Sequence, residues 1–240
     1  MKVEIWSDIA CPFCYIGKAK LEEALSDFPA SQQVEIEYKS YQLNPDAPLY
    51  DGRAYYETLA DKFGSVQQAK QMTENIANHA KEADLEFNFE QMKATNTLDA
   101  HRLLHYAKTN QKAAELKQLL FQTHFTDGKD IGDINVLSDL ADKVGLSNTE
   151  TKKVLIDKTA YRDSVAFDLK EAQQFGISGV PYFIFNRKYA ISGAQPKEAF
   201  LQALEKIQAE EQTVSPLETL HTKDQAAACE DGNCTVSDQE

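Results

Sequence analysis

Apolar and polar positions change rhythm several times along this chain. In "KVEIWSD", Val3 and Ile5 alternate with the charged Lys2 and Glu4, the two-residue period of a short strand. Pro12 then opens a stretch in which Tyr15, Ile16, Ala19, Leu21 and Leu25 make an apolar stripe, predicting a helix that ends near Phe28. "VEIEYKSYQL", Val34 to Leu43, returns to alternation, with Glu35, Glu37 and Lys39 on its polar face, and predicts a second strand. A strand, a crossover helix and a strand place the two strands parallel.

From Tyr55 to Leu155 the pattern is helical almost throughout, from "AYYETLADKF" to "SNTETKKVLID". Asn96, three residues before Asp99, predicts a helix cap, and Gly145 predicts a helix end. A helix from Tyr161 to Phe175 follows, stopped by Gly176. Two short strands in "GVPYFIFN" and "YAISGA" then read as a hairpin, and a last helix runs from Pro196 towards Glu211. The order is β-α-β, a helical insertion, then α-β-β-α. This predicts an α/β domain made of residues 1–50 and 160–212, an inserted helical domain at 51–159, and a flexible acidic tail at 213–240.

Composition narrows the function classes. The 240 residues carry a formal net charge of −13, which argues against binding nucleic acid or an anionic membrane through phosphates. No apolar run approaches the roughly 20 residues of a membrane span. "MKVEIWSDIA" lacks the apolar stretch of a secretory signal, so a cytoplasmic protein is expected if Met1 is the natural start. Four cysteines are too few for a disulfide scaffold.

Two of the four stand in "ACPFCYIG". Cys11 falls where the first strand gives way to a helix, with Pro12 at the favoured first helical position. There the sulfur would take the N-cap role, and the helix N–H groups and dipole would stabilise a thiolate. Cys14 follows one turn later, within reach for a disulfide. The expected division is an exposed Cys11 nucleophile and a more buried resolving Cys14. A zinc site would need two further ligands, which Cys229, Cys234 or histidines would have to supply. A C-x-x-C beside a β-α-β pattern points instead to thioredoxin-like redox chemistry. Val180 and Pro181, at the entry to a strand in "GISGVPYFIF", are a second feature.

"WSDIACPFCYIGK", "YQLNPDAP", "NTLDAHRL", "FTDGKDIGD" and "GVPYFIFNRKYAISGAQ" together resemble the DsbA-like thioredoxin-fold oxidoreductases of the FrnE type, over residues 2 to 210. The resemblance implies a thioredoxin-like fold with a large all-helical insertion. It also implies Cys11 as attacking thiol, Cys14 as resolving thiol, and Val180–Pro181 as a cis-proline element facing them. Pro12, Phe13, Val180 and Pro181 would contact substrate. It implies no metal and no bound cofactor; glutathione or a thioredoxin-type thiol would recycle the site. Partners would be disulfide- or thiol-containing proteins or small thiols, and the chain would act as a monomer or homodimer.

Strongly oxidising DsbA proteins carry His where this chain has Phe13. Its absence predicts a couple in the reducing half of the roughly −120 to −270 mV range of such sites. The glutathione-dependent hydroxychromene-carboxylate isomerases and kappa-class transferases share the insertion but have Ser in place of Cys11. They are the alternative reading.

Other residues carry weaker signals. In the family reading Asn96, His101 and Arg102 lie near the cleft, and His101 and His105 share the i, i+4 spacing of a metal pair without an evident third ligand. Trp6 is expected to pack in the sheet or shape the redox rim, and Asp8 to relay protons or raise the Cys11 pKa. "DGKDIGD", Asp127 to Asp133, lacks the spacing of an EF-hand calcium loop and reads as an inter-helix turn. Cys229 and Cys234 flank "EDGN"; they read as an auxiliary redox pair, a weak metal site or an uninvolved surface disulfide.

Overall fold

The computed structural model describes residues 1–212 and the backbone of 227–230 and 233–236. Strand β1 (Lys2–Ser7) leads into helix α1 (Pro12–Asp27), and β2 (Glu35–Ser40) returns beside β1 in parallel, Ile5 opposite Tyr38. Six helices make up the insertion that follows: α2 (Tyr55–Phe63), α3 (Val66–Lys81), α4 (Leu98–Thr109), α5 (Ala113–Phe125), α6 (Ile134–Lys143) and α7 (Asn148–Ile156). These match the predicted helical segments. Helix α8 (Arg162–Gln174) precedes β3 (Tyr182–Phe185) and β4 (Tyr189–Ser192), and α9 (Lys197–Gln212) follows. The sheet order is β2-β1-β3-β4, with β3 antiparallel to both neighbours. This is a thioredoxin-like sheet with a helical insertion between β2 and α8.

Local chemistry sets the element ends. Ser65, Asp133 and Ser147 accept backbone N–H bonds at the starts of α3, α6 and α7. Gly145 and Gly176, at φ of 83° and 69°, turn the chain out of α6 and α8, as a left-handed C′ residue does. The α4 cap differs from expectation. Thr97 is the cap residue and its side chain makes no capping bond, while Asn96 Oδ1 accepts from Leu98 N at 2.8 Å.

Both faces of the sheet are covered. On one, Gly17 of α1 lets Pro181 and Phe183 approach: an added Cβ would stand 3.0 Å from Pro181 Cγ. Phe183 also meets Phe200 of α9 edge-on, with ring centroids 4.8 Å apart. On the other face, part of the row read as polar is buried under α8, although Glu35 at its end is exposed. Glu4 is 2% exposed and Lys39 7%. Lys39 Nζ lies 2.9 Å from Glu171 and 3.4 Å from Asp168 of α8, and 3.9 Å from Glu4. Arg187 closes the set with a two-pronged bond to Glu4 at 2.9 and 2.7 Å and a third to Glu171 at 2.9 Å. Alternation identified the face correctly, but an ion-paired helix covers it rather than water.

The insertion packs a second core, including Leu103, Leu116, Leu120, Phe121 and Phe125, all fully buried. Burying each such side chain contributes about 1.5–3 kcal/mol before entropy is charged against it. Tyr15 of α1 stacks on Phe121 at 4.9 Å and joins Cys11 and Cys14 to this core. "DGKDIGD" lies between α5 and α6 as an inter-helix turn. At Gly128, φ +65°, a Cβ would fall 2.6 Å from the Gln91 carbonyl oxygen, so only glycine fits.

Residues 1–205 form one compact unit and Lys206–Glu240 a second. Within the second, β5 (Ala227–Glu230) and β6 (Asn233–Val236) pair antiparallel with Cys229 opposite Cys234. The segment read as a flexible tail therefore contains a short hairpin. The remaining residues from 213 on, and the side chains of Cys229 and Cys234, lie outside what the structure describes. Among the described residues no helix is long and apolar enough to cross a membrane.

Candidate active site

The β1–α1 junction positions the two cysteines. Cys11 is the cap residue of α1 in extended conformation (φ −93°, ψ 113°), and Pro12 holds the first helical position. The sulfur makes no formal capping bond. Its pKa is nonetheless lowered. The Cys14 thiol donates to it, and that outweighs burial with help from the Cys14 and Phe13 amides, while Asp8 opposes. Cys14 is pushed well above the ordinary thiol value, first by burial and then by the same bond to Cys11. Both cysteines are free thiols. The expected contrast in exposure is absent: Cys11 is 4% exposed and Cys14 2%. What separates them is their surroundings, since Cys11 opens onto a cleft and Cys14 faces the helical core.

Cys11 Sγ stands 3.6 Å from the Val180 carbonyl oxygen, and the Val180–Pro181 peptide is cis. Pro12, Phe13 and Val180 border a cleft of ≈ 520 Å³ with Cys11 and Asp8. Its far wall comes from Leu43, Ala47, Pro48 and Leu49, from Tyr55, Leu59 and Phe63 of α2, and from Met72 and Ile76 of α3. Phe13 is 40% exposed and Leu49 61%, so the rim is apolar and accessible. Pro181 is buried behind it, against Gly17.

Other expected cleft residues lie elsewhere. Trp6 is fully buried on the α8 side, its indole N–H donating to the Asp168 carbonyl at 3.0 Å. Arg102 is also fully buried; it donates to the Ala160 carbonyl at 2.7 Å and to those of Val154 and Asp157, holding the end of α7. Asn96 donates to the Pro45 and Ala47 carbonyls at 2.9 and 2.8 Å, and so braces the loop that walls the cleft without lining it.

Asp8 does line the cleft, 2% exposed, and accepts from Leu43 N at 2.8 Å. Behind it His101 Nε2 lies 3.3 Å from Asp8 Oδ1. Burial pushes the Asp8 carboxyl up, but the bond and charge of His101 with the Leu43 amide hold it below the usual range. His101 is itself lowered, burial outweighing Asp8. The stable pair is therefore an ionised Asp8 and a neutral His101.

Two further residues of this region, Lys117 and His124 of α5, escaped the sequence reading. Lys117 is 1% exposed and burial pulls it down to about 8; His124 is 2% exposed and pulled down to about 4. The signal was present: Lys117, Phe121 and His124 fall at i, i+4 and i+7, the buried stripe of a helix. Among the described residues no group of three or more His, Cys, Asp or Glu is arranged to hold a metal.

Residues 2–205 match the DSBA-like thioredoxin domain family. The chain belongs to that family. It is 38% identical to a "probable DsbA oxidoreductase" from Streptomyces coelicolor of known structure, covering 99% of this chain and 100% of that one, with a TM-score of 0.84. A Bacillus subtilis (strain 168) protein, YwbO, is 30% identical over 84% of this chain and 94% of its own length. A 2-hydroxychromene-2-carboxylate isomerase shares the fold alone, at 14% identity and a TM-score of 0.66 over 90% of this chain and all of its own.

Proposed function

We propose that this protein is a thiol–disulfide oxidoreductase working through Cys11 and Cys14. The observation that carries the reading is the unequal pair of thiols at a helix start. Cys11 is biased towards thiolate and opens on a cleft, while Cys14 is held protonated behind it. The DsbA-like fold and the Streptomyces coelicolor neighbour's name support the same chemistry.

In the reducing direction the Cys11 thiolate attacks one sulfur of a substrate disulfide. The Cys11–substrate S–S bond forms as the substrate S–S bond breaks, and the leaving thiolate takes a proton from solvent. Cys14 then loses its proton and attacks the Cys11 sulfur. The Cys11–Cys14 disulfide forms, the second substrate thiolate leaves, and the dithiol has been oxidised by two electrons. Oxidation of a substrate dithiol runs the same steps backwards. The Val180 carbonyl beside Cys11 is placed to pair with a substrate backbone, and Pro12, Phe13 and the cleft receive its side chains. Glutathione or a thioredoxin-type thiol resets the site, with no resident cofactor or metal. Proteins or small molecules bearing disulfides or thiols in the cytoplasm are the proposed partners. Cys229 and Cys234 are the proposed auxiliary exchange pair.

An insulin-reduction assay tests this. Cys11→Ser should abolish turnover, and undiminished activity in that variant would rule the mechanism out. A glutathione-dependent isomerase is the second reading, favoured by the small-molecule size of the cleft. Saturable glutathione binding with turnover surviving Cys14→Ala would select it.

A further inference from the structure

The cleft beside Cys11 is graded from mouth to floor. Phe13, Leu43 and Leu49, the exposed large side chains that line it, are apolar. The most buried residues lining it are polar: Thr73, Asp8, Thr97 and His124. Three of these four are already engaged. Thr73 Oγ1 donates to the Ala69 carbonyl at 3.0 Å, and Asp8 accepts from Leu43 N, with His101 Nε2 3.3 Å away. The Thr97 hydroxyl donates to Asp8 as well. His124 is the exception.

His124 is 2% exposed, and neither of its ring nitrogens makes a hydrogen bond among the described residues; Nδ1 is buried outright. Its ring is fixed by α5 and by Phe125, which meets it edge-on with centroids 4.8 Å apart. A buried polar group left unbonded is destabilising, so a packed interior rarely keeps one without a task for it. Here the group lines the same cleft as the reactive thiol.

Resting on the oxidoreductase reading, we propose that His124 is a specificity-determining residue that hydrogen-bonds a neutral amide of the substrate beside its disulfide. The substrate class is then polypeptide disulfides, in preference to small disulfides bearing free carboxylates. Backbone amides flank every cysteine inside a polypeptide, whereas a small thiol acid carries charge at that place. Apolar side chains of the same segment rest on Phe13, Leu43 and Leu49 at the mouth. The bonds made and broken at sulfur are those of the exchange already described.

Charge at the floor sets the preference. Burial pulls His124 down to about 4 against the pull of Asp8, so the ring is neutral and offers one N–H and one lone pair. Asp8 is ionised, and no lysine or arginine is among the buried residues lining the cleft. A carboxylate entering there would meet the Asp8 charge in a site of low dielectric, with no cation opposite. An amide carbonyl accepts the imidazole N–H without that penalty. The cleft's cations, Arg53 and Lys62, are exposed at its mouth, and Arg53 is held by Asp61 at 2.8 Å. Of the two recycling thiols, this favours a thioredoxin-type protein over glutathione, whose halves carry free carboxylates.

The experiment compares two disulfides that differ only in this group, that of N-acetylcysteine amide and that of N-acetylcysteine. The reduced full chain is mixed with each, and its oxidation is followed by acid quenching and intact mass. Each rate is divided by that of the same disulfide with dithiothreitol, which removes intrinsic reactivity. The parent should prefer the amide by about tenfold, the scale of one hydrogen bond. In His124→Leu and in His124→Phe, which keeps a ring without nitrogen, the ratio should fall to about one. A purely structural role for His124 would slow both disulfides alike and leave the ratio at its parental value. Equal rates in the parent, or the preference kept by either folded variant, would overturn the proposal. Failure of both disulfides to oxidise the parent would instead refute the oxidoreductase reading itself.

Discussion

Two regions of this molecule bury charge, and they do so in opposite ways. Under α8, Glu4, Lys39, Asp168, Glu171 and Arg187 form a closed network in which each charge meets an opposite one within 3.9 Å. On α4 and α5, Lys117 has no ion-pair partner among the described residues, and the Nδ1 atoms of His101 and His124 are buried without a hydrogen-bond partner there. Burial costs a charge several kcal/mol unless it is paired. The first region answers that cost with partners and gains a fixed geometry. The second leaves it standing, and the cost appears as pKa values lowered by burial in favour of the neutral forms, Lys117 to about 8 and His124 to about 4.

The comparison breaks most visibly at Lys39. Lys39→Met removes the buried cation shared by Glu4, Asp168 and Glu171, leaving Glu4 and Glu171 only Arg187 and Asp168 only His105 and the Ser40 amide, and should cost about 3–5 kcal/mol in a denaturant melt. Thiol reactivity at Cys11 should remain unchanged in the folded fraction. A loss below about 1 kcal/mol would show that the network is not a closed one.

Lys117→Met should have the opposite sign. Between pH 10.5 and about 8 the unfolded chain protonates this lysine and the folded chain does not, so parental stability falls as pH drops through that window and stays lower below it. The variant should lack that slope and be more stable by about 3 kcal/mol at neutral pH, measured as melts at several pH values. Equal slopes would place the Lys117 charge in solvent.

His124 should act in acid. Its neutral form is fixed down to about pH 4, so the parent loses stability as pH falls from 6.5 towards 4. His124→Leu should flatten part of that decline, by about 1–3 kcal/mol. An identical acid limb in both proteins would contradict it. The smallest effect belongs to Gly17→Ala, which touches neither region. Tight contact with Pro181 should outweigh the helix propensity gained, for a net cost of about 1 kcal/mol in a thermal melt. A stabilised variant would show that Pro181 yields freely.

Much of the fold was legible because period and punctuation agreed: the β-α-β start, the helical insertion and the closing hairpin each carry their own pattern. The burial of Lys39 and Glu4 was not, because alternation cannot distinguish water from the ion-pairing face of a helix far along the chain. The C-x-x-C and Val180–Pro181 were visible as local motifs, and the fold brings Cys11 within 3.6 Å of Val180. Asn96, His101 and Arg102 share one segment but point to three tasks: a loop brace, a partner for Asp8 and a clamp on α7. Lys117 and His124 went unread because a lone lysine or histidine in an amphipathic helix looks like surface until its stripe is counted.

The division of labour between the two cysteines is tested most directly by trapping. Cys14→Ser, incubated with a peptide disulfide, should accumulate a covalent adduct of one peptide thiol, found by intact mass and assigned to Cys11 by peptide mapping. No adduct, or one confined to Cys229 or Cys234 with Cys11 unmodified, would contradict the account.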